Sequence, residues 1–401
     1  MSRVRSSDSC AYSKEKVLSS SYLRLTSVIL FCLLAIYLRL NHLAGRELWN
    51  DENFQYHQTT GPFKSIWKHE TYGDMTCFPG DYLITYPFVR AFGMNKWGLM
   101  IPHLLMTVLG FYFLYRIGQK YFKTPVGYVV AFSIVCFNQY LIFHSLELRP
   151  YGVLSTLALM AFYYVDTLWN ERQHLAAMRK LFIGLILTLI VWFHAFGILM
   201  VSCAFLFVGL SGGVRRLPQS ILKDLRGVLL LFVFISLPVW LWFVTGNPMK
   251  LTADTYADMG INTFTYIMNP LDGFWKFFNR TVFYHLIGFK RLYFLLGALV
   301  FMIFIPLREK LKKLGFFLTL VLLPIAVILS VDLHNGYWFL IRQYIFVTPL
   351  FAFFLGWLWD SSVDFYLDKE HRIWNWNSML GLGLMVICAT AGTIGILTSF
   401  R

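Results

Sequence analysis

Stretches of about 16 to 22 apolar residues, separated by short basic or turn-rich connectors, recur from Leu25 to the end of the chain. A helix needs roughly 20 mostly apolar residues to cross a bilayer, so this rhythm predicts a polytopic, all-α membrane protein. Predicted spans cover about 25–40, 97–115, 126–143, 151–169, 228–244, 292–307, 314–331, 344–359 and 378–399. The apolar stretch 181–210 is flanked on both sides by basic residues, Arg179 and Lys180 before it, Arg215 and Arg216 after it. Both flanks belong on the cytoplasmic side, so the stretch is read as two short spans with a turn near Phe193–Gly197. Eleven crossings result.

The remaining segments divide the chain further. Residues 1–24 form a basic cytoplasmic arm, and 25–245 a transmembrane module that includes an outer loop at 41–96. A second outer loop spans 246–291, and 292–401 holds the C-terminal transmembrane helices. In the first outer loop, Phe63–Lys68 is amphipathic and Tyr82–Phe92 is apolar, which predicts helices lying in the membrane interface. The first apolar run follows basic residues as a signal peptide would. No small-residue cleavage site comes after it, so it is read as an uncleaved first span.

Composition supports this picture: 57% of the residues are hydrophobic, 18% aromatic and only 14% charged. Soluble domains carry about a quarter charged residues. The formal net charge of +14 could point to nucleic acid, but the basic residues sit in connectors between spans. That is the positive-inside pattern, and no basic run has the length or aromatic interleaving of a nucleic-acid site. The six cysteines include no CxxC pair, and only Cys77 falls clearly in an outer loop, so neither a zinc frame nor a disulfide frame is indicated.

Candidate chemistry gathers on the outer side. Asp51 and Glu52 follow span 1, and two further crossings bring Glu147 back to the same face. Adjacent carboxylates raise one another's proton affinity, which suits one of them to act as a general base for a hydroxyl. A solvated helix exit explains the same pair without chemistry. Arg149 beside Glu147 could stabilise its turn or grip an anion with its planar fork. His194 falls at the turn between the two short spans, and Arg342 just before span 10. Each could meet a phosphate, with Lys290 and Arg291 competing for that task; each could equally be a satisfied interfacial residue. A divalent metal held by Asp51 with His57, or with His69, Glu70 and Asp74, is a weaker reading, since no HExxH-type spacing occurs.

The order of these features resembles a known family. Asp51-Glu52 after span 1, then Phe78-Pro79-Gly80-Asp81-Tyr82-Leu83, Phe92-Gly93 and Trp97-Gly98-Leu99-Met100-Ile101-Pro102, resembles the front of a GT-C glycosyltransferase. More narrowly, it is similar to the dolichyl-phosphate-mannose protein mannosyltransferases and their aminoarabinose transferase relatives. Glu147-Leu148-Arg149-Pro150-Tyr151 resembles an outer-turn motif of that superfamily, and His194 and Arg342-Gln343-Tyr344 fall where it places them. The chain departs from the pattern at Met100, where the family often has Arg, and at Cys77–Gly80, where it has a His-Pro-Pro run.

The resemblance implies a GT-C fold of about 11 transmembrane helices and an enzyme of the plasma (inner) membrane. It would move a sugar from a polyprenyl-phosphate donor to a lipid, glycan or protein acceptor on the outer face, with inversion at the anomeric centre. It implies catalytic roles for Asp51, Glu52 and Glu147. Arg149, Tyr151, His194, Arg342 and Tyr344 would bind substrate, and a divalent metal is possible. The rival expectation is a lipid-linked sugar or polysaccharide transporter, or a binding subunit, without catalysis.

Overall fold

The computed structural model describes residues 5–67, 79–171, 174–211, 219–245, 307–334 and 344–367. Among them the chain is helical, with no strand. The expected second outer loop, spans 8 and 11, and Arg342, Lys290, Arg291, His69, Glu70 and Asp74 lie outside the described residues.

Helix α1 (Arg5–Ala44) carries the first span over Arg24–Ala44. The segment after it folds into α2 (Asn50–Thr60), which the pattern does not predict, and into a 3₁₀ turn at Phe63–Trp67 and α3 (Pro79–Phe92), close to the two predicted interfacial segments. A short α4 (Lys96–Leu99) leads into α5 (Ile101–Tyr121), and together they form the span Lys96–Tyr121.

The third expected span is broken. Asn138 accepts from the Leu141 amide and starts a new helix, so α6 (Pro125–Phe137) and α7 (Gln139–Ser145) meet at 59°. Continuous hydrophobicity hid the bend, because a cap is a local hydrogen bond and leaves no trace in mean apolarity. Helix α8 (Pro150–Asn170) opens on Pro150, whose missing N–H costs nothing in a first turn.

The division of 181–210 holds: α9 (Ala177–Val191) and α10 (Phe196–Ser211) flank a turn at 192–195. Then come α11 (Gln219–Thr245), α12 (Leu307–Phe316), a π-helical segment Phe317–Leu322, α13 (Leu323–His334) and α14 (Val347–Leu367). Among the described residues, four helices are long and apolar enough to cross a membrane, five if the bent α6–α7 pair is taken as one broken span. This is a helical membrane protein.

Helix α8 is buried along most of its length and packs against α5, α10, α14 and α9. Aromatic rings fill the interior of the bundle. Phe316 lies 5.2 Å from Phe162, 5.2 Å from Phe207 and 5.3 Å from Phe353, ring centre to ring centre. In lipid the hydrophobic effect gives helices little reason to associate, so close van der Waals packing such as this interlocking of rings contributes to holding the bundle together.

Candidate active site

The site is built where the connectors at one end of the bundle meet. Leaving α1, the chain places Arg46 six residues before Glu52, and the two form a bidentate pair with N–O distances of 2.6 and 3.0 Å. Glu52 is fully buried. Its carboxylate also accepts from the Trp49 amide at 3.1 Å, closing the first turn of α2, and from the Leu148 amide at 2.8 Å. Arg46 in turn donates to the Leu146 carbonyl at 2.9 Å. One ion pair therefore fastens the acidic helix to the turn that carries Glu147. The parity argument, which puts Asp51 and Glu147 at one end, has a physical counterpart in this clamp.

Glu147 is buried as well. Its Oε2 lies 2.5 Å from His144 Nδ1, and its Oε1 has no hydrogen-bond partner among the described residues. Histidine, rather than the neighbouring Arg149, is its partner across the turn. The turn is tight enough that α8 begins against it. A β-carbon on Gly152 would stand 2.6 Å from the His144 carbonyl oxygen, so only glycine lets the two segments approach.

A third connector joins from the α9–α10 turn. The Gly80 amide donates to the Trp192 carbonyl at 2.8 Å, and a β-carbon there would lie 2.6 Å from that oxygen. This contact docks the start of α3 beside His194. The imidazole of His194 is fully buried, accepts from the Phe196 amide at 3.2 Å and lies 6.3 Å from the Tyr151 ring. Tyr151, Arg149 and Tyr344 are buried too.

Of the residues singled out from sequence, Glu52, Glu147, Arg149, Tyr151 and His194 share this end of the bundle. Asp51 is in the first turn of α2; its side chain lies outside those described. His57 is exposed on α2 and packs edge-on against Tyr56. Among the described residues, no three His, Cys, Asp or Glu converge as a metal site.

The sequence reading expects Glu52 to face substrate. Its oxygens are instead taken up by Arg46 and two backbone amides, because a fully buried carboxylate must be paired.

Several site residues went unnoticed in sequence. Arg46 is separated from Glu52 by a helix break, so no periodicity joins them. Asp81 and His103, both fully buried, face each other at 3.4 Å, and Gln55 Nε2 donates to Asp81 Oδ2 at 2.6 Å. Asp81 Oδ1, Gln55 Oε1 and both ring nitrogens of His103 lack hydrogen-bond partners among the described residues. A carboxylate and a histidine within predicted apolar segments were the available signal.

Arg39, the single charge inside the first span, was also missed. It is buried, donates to the Ala35 and Val135 carbonyls at 3.1 and 3.3 Å, and lies over the Phe111 ring at 5.8 Å. Beside it is a cavity of about 30 Å³ bordered by Thr107, Ser145, Ser155 and Thr156. All four hydroxyls already donate to backbone carbonyls. They offer lone pairs only, which suits a water bridging to Arg39 and repels an anion.

Residues 79–242 match the family model for dolichyl-phosphate-mannose-protein mannosyltransferases. The resemblance holds over that segment. The matched residues run from α3 through most of α11, so they include the Asp81 pair, the Glu147 turn and His194, while Asp51 and Glu52 precede them. The matched segment is less than half of the chain, and over that segment the chain is similar to this mannosyltransferase family. No curated protein matches the chain.

Proposed function

We propose that this protein is a GT-C glycosyltransferase and transfers a sugar from a polyprenyl-phosphate donor to an acceptor hydroxyl at the outer, non-cytoplasmic face. The observation that carries this reading is the clamp through which Glu52 holds the Asp51-bearing helix on the Glu147 turn. Asp51 is the general base. It takes the proton from the acceptor hydroxyl as that oxygen forms a bond to the anomeric carbon. The bond from that carbon to the phosphate oxygen breaks, and the polyprenyl phosphate leaves with the electron pair. Attack from the face opposite the leaving group inverts the anomeric centre.

Glu147, held by His144, orients the acceptor or the sugar. Arg149 and Arg342 stabilise the negative charge that grows on the departing phosphate, and His194 adds a hydrogen bond as a neutral imidazole; donors fixed in a low-dielectric site do this far better than water. Tyr151 and Tyr344 complete the substrate contacts. A divalent ion beside Asp51 would supply further positive charge at the phosphate.

The test is transfer of labelled mannose from polyprenyl-phosphate mannose by the purified full chain and by Asp51→Asn. A loss of about 100-fold or more in kcat with donor binding retained is the expected outcome, the scale of general-base catalysis. Equal turnover by both proteins removes Asp51 from the reaction. Donor binding without any transfer by the wild type favours the rival, a binding subunit or transporter.

A further inference from the structure

Beside the clamp, on the solvent side of α2, lies an open cleft of about 500 Å³. Its walls come from the connector after α1 (Glu47), from α2 (Asn53) and from the turn between α3 and α4 (Met94, Asn95, Lys96 and Trp97). The volume lies in the range of small-ligand sites, which pair aromatic surface with a few placed polar groups. Trp97 is 48% exposed, Met94 is 52% exposed, and the Glu47 side chain stands almost free in solvent. Asn53 sits two residues beyond Asp51 on the same helix. Its Nδ2 donates to the Leu48 carbonyl at 3.3 Å, and its Oδ1 is buried without a hydrogen-bond partner among the described residues.

We infer that this cleft is the subsite for a neutral acceptor glycan, with Trp97 as its stacking platform and Glu47, Asn53 and Asn95 as its hydroxyl contacts. The inference rests on the transferase reading above and names the acceptor class for it. A sugar ring offers an apolar C–H face, which fits an indole, and a rim of hydroxyls, which are donors for carboxylate and amide oxygens. Asn53 Oδ1 and the Glu47 carboxylate are acceptors of that kind, and Asn95 has its amide nitrogen left after its Oδ1 caps the Trp97 amide.

Charge separates this occupant from the donor. The one lysine at the cleft, Lys96, is spent on the Arg46 carbonyl at 2.6 Å, the Ala44 carbonyl at 3.4 Å and Glu47 at 3.5 Å. A lipid phosphate would meet Glu47 with no free cation to offset it; a neutral sugar has no such cost. An exposed tryptophan near a bilayer also serves as a headgroup anchor. An anchor, however, needs neither a carboxylate nor two asparagines around it.

The experiment uses the full chain in lipid nanodiscs and a set of neutral trisaccharides built on mannose, glucose, galactose and N-acetylglucosamine. Saturation-transfer NMR reports binding, and transfer kinetics report acceptor and donor KM separately. Trp97→Ala and Glu47→Gln are expected to raise acceptor KM tenfold or more, with kcat within twofold and donor KM unchanged. Trp97→Phe is expected to recover most of the loss. Glu47 is exposed, so its variant keeps the test valid if Trp97→Ala fails to fold.

Unchanged glycan binding and acceptor KM in both variants overturn the inference, as does an effect confined to donor KM. A Trp97-dependent glycan signal from a protein that transfers nothing upholds the subsite and sinks the transferase reading. Normal transfer to a non-glycan acceptor, with no glycan signal, does the reverse.

Discussion

Both ends of the bundle bury carboxylates, but they treat them differently. At the Arg24 end, Asp166 accepts from Tyr121, Asn170 and Lys120 at 2.7, 2.7 and 3.0 Å. Asp360 accepts from the Lys123 and Thr124 amides and the Thr124 hydroxyl, each at 2.7 Å, and so caps α6. Nearby, its hydrogen bond to the Asp364 carboxylate holds the exposed Lys123 ammonium above the usual lysine range. Every oxygen of Asp166 and Asp360 has a donor.

Among the described buried carboxylates at the Glu52 end, only Glu52 is treated that way. Glu147 and Asp81 each keep one buried oxygen without a hydrogen-bond partner among the described residues. A satisfied buried network serves the fold, whereas an unsatisfied one is a cost that folding alone does not justify. The difference marks which end is held ready for a ligand.

The comparison breaks most sharply at Glu52, which is built like the acids at the far end. Glu52→Gln leaves Arg46 without its counter-charge while keeping the shape. Breaking one side of a buried pair costs about 3–5 kcal/mol. A large drop in detergent melting temperature is expected, with transfer lost because α2 no longer seats Asp51 on the Glu147 turn. Thermal unfolding followed by circular dichroism checks it. An unchanged melting temperature would mean that the clamp carries no stability and that the two ends are less alike than Glu52 makes them.

How much of this was legible beforehand follows from which forces leave a pattern in one dimension. Burial in lipid acts on every residue of a span, so α1, α5 and α8 could be read from apolar runs, and the division of 181–210 into two helices from the basic residues on either side. Sidedness also carried Glu147 to the Glu52 end. Pairings across breaks could not be read. Arg46 with Glu52 spans the end of one helix and the start of another, and Asp81 with His103 joins an interfacial helix to a span. The 59° bend at Asn138 depends on a single cap. Glu52 looked available because adjacency to Asp51 reveals nothing about the amides of Trp49 and Leu148 that enclose it.

A smaller effect is expected at the satisfied end. Asp360→Ala removes the acceptor of two amides and a hydroxyl at the start of α6, a loss of about 1–2 kcal/mol in line with other N-terminal caps. Transfer per folded molecule should stay within twofold, measured by normalising turnover to the folded fraction. A tenfold fall in that normalised activity would show that the far end is also functional, and the contrast between the ends would fail.

The smallest stability change, and the most telling, is expected at Asp81 and His103. Their mutual contact is long and four polar atoms of Asp81, His103 and Gln55 lack hydrogen-bond partners among the described residues, so replacing either removes little that folding uses. Asp81→Asn keeps an oxygen for the Gln55 amide group and discards the charge facing His103. Its stability should move by less than about 1 kcal/mol, either way, since an unsatisfied buried charge stabilises little. Activity should fall tenfold or more, because Gln55, one turn after Asp51, ties this pair to the helix that carries the base. If the two residues act as one unit, Asp81→Asn combined with His103→Gln will cost no more activity than either alone. Additive losses would separate them, and a large loss of stability with normal turnover would move the pair into the same class as Asp166 and Asp360, whose purpose is to hold the bundle.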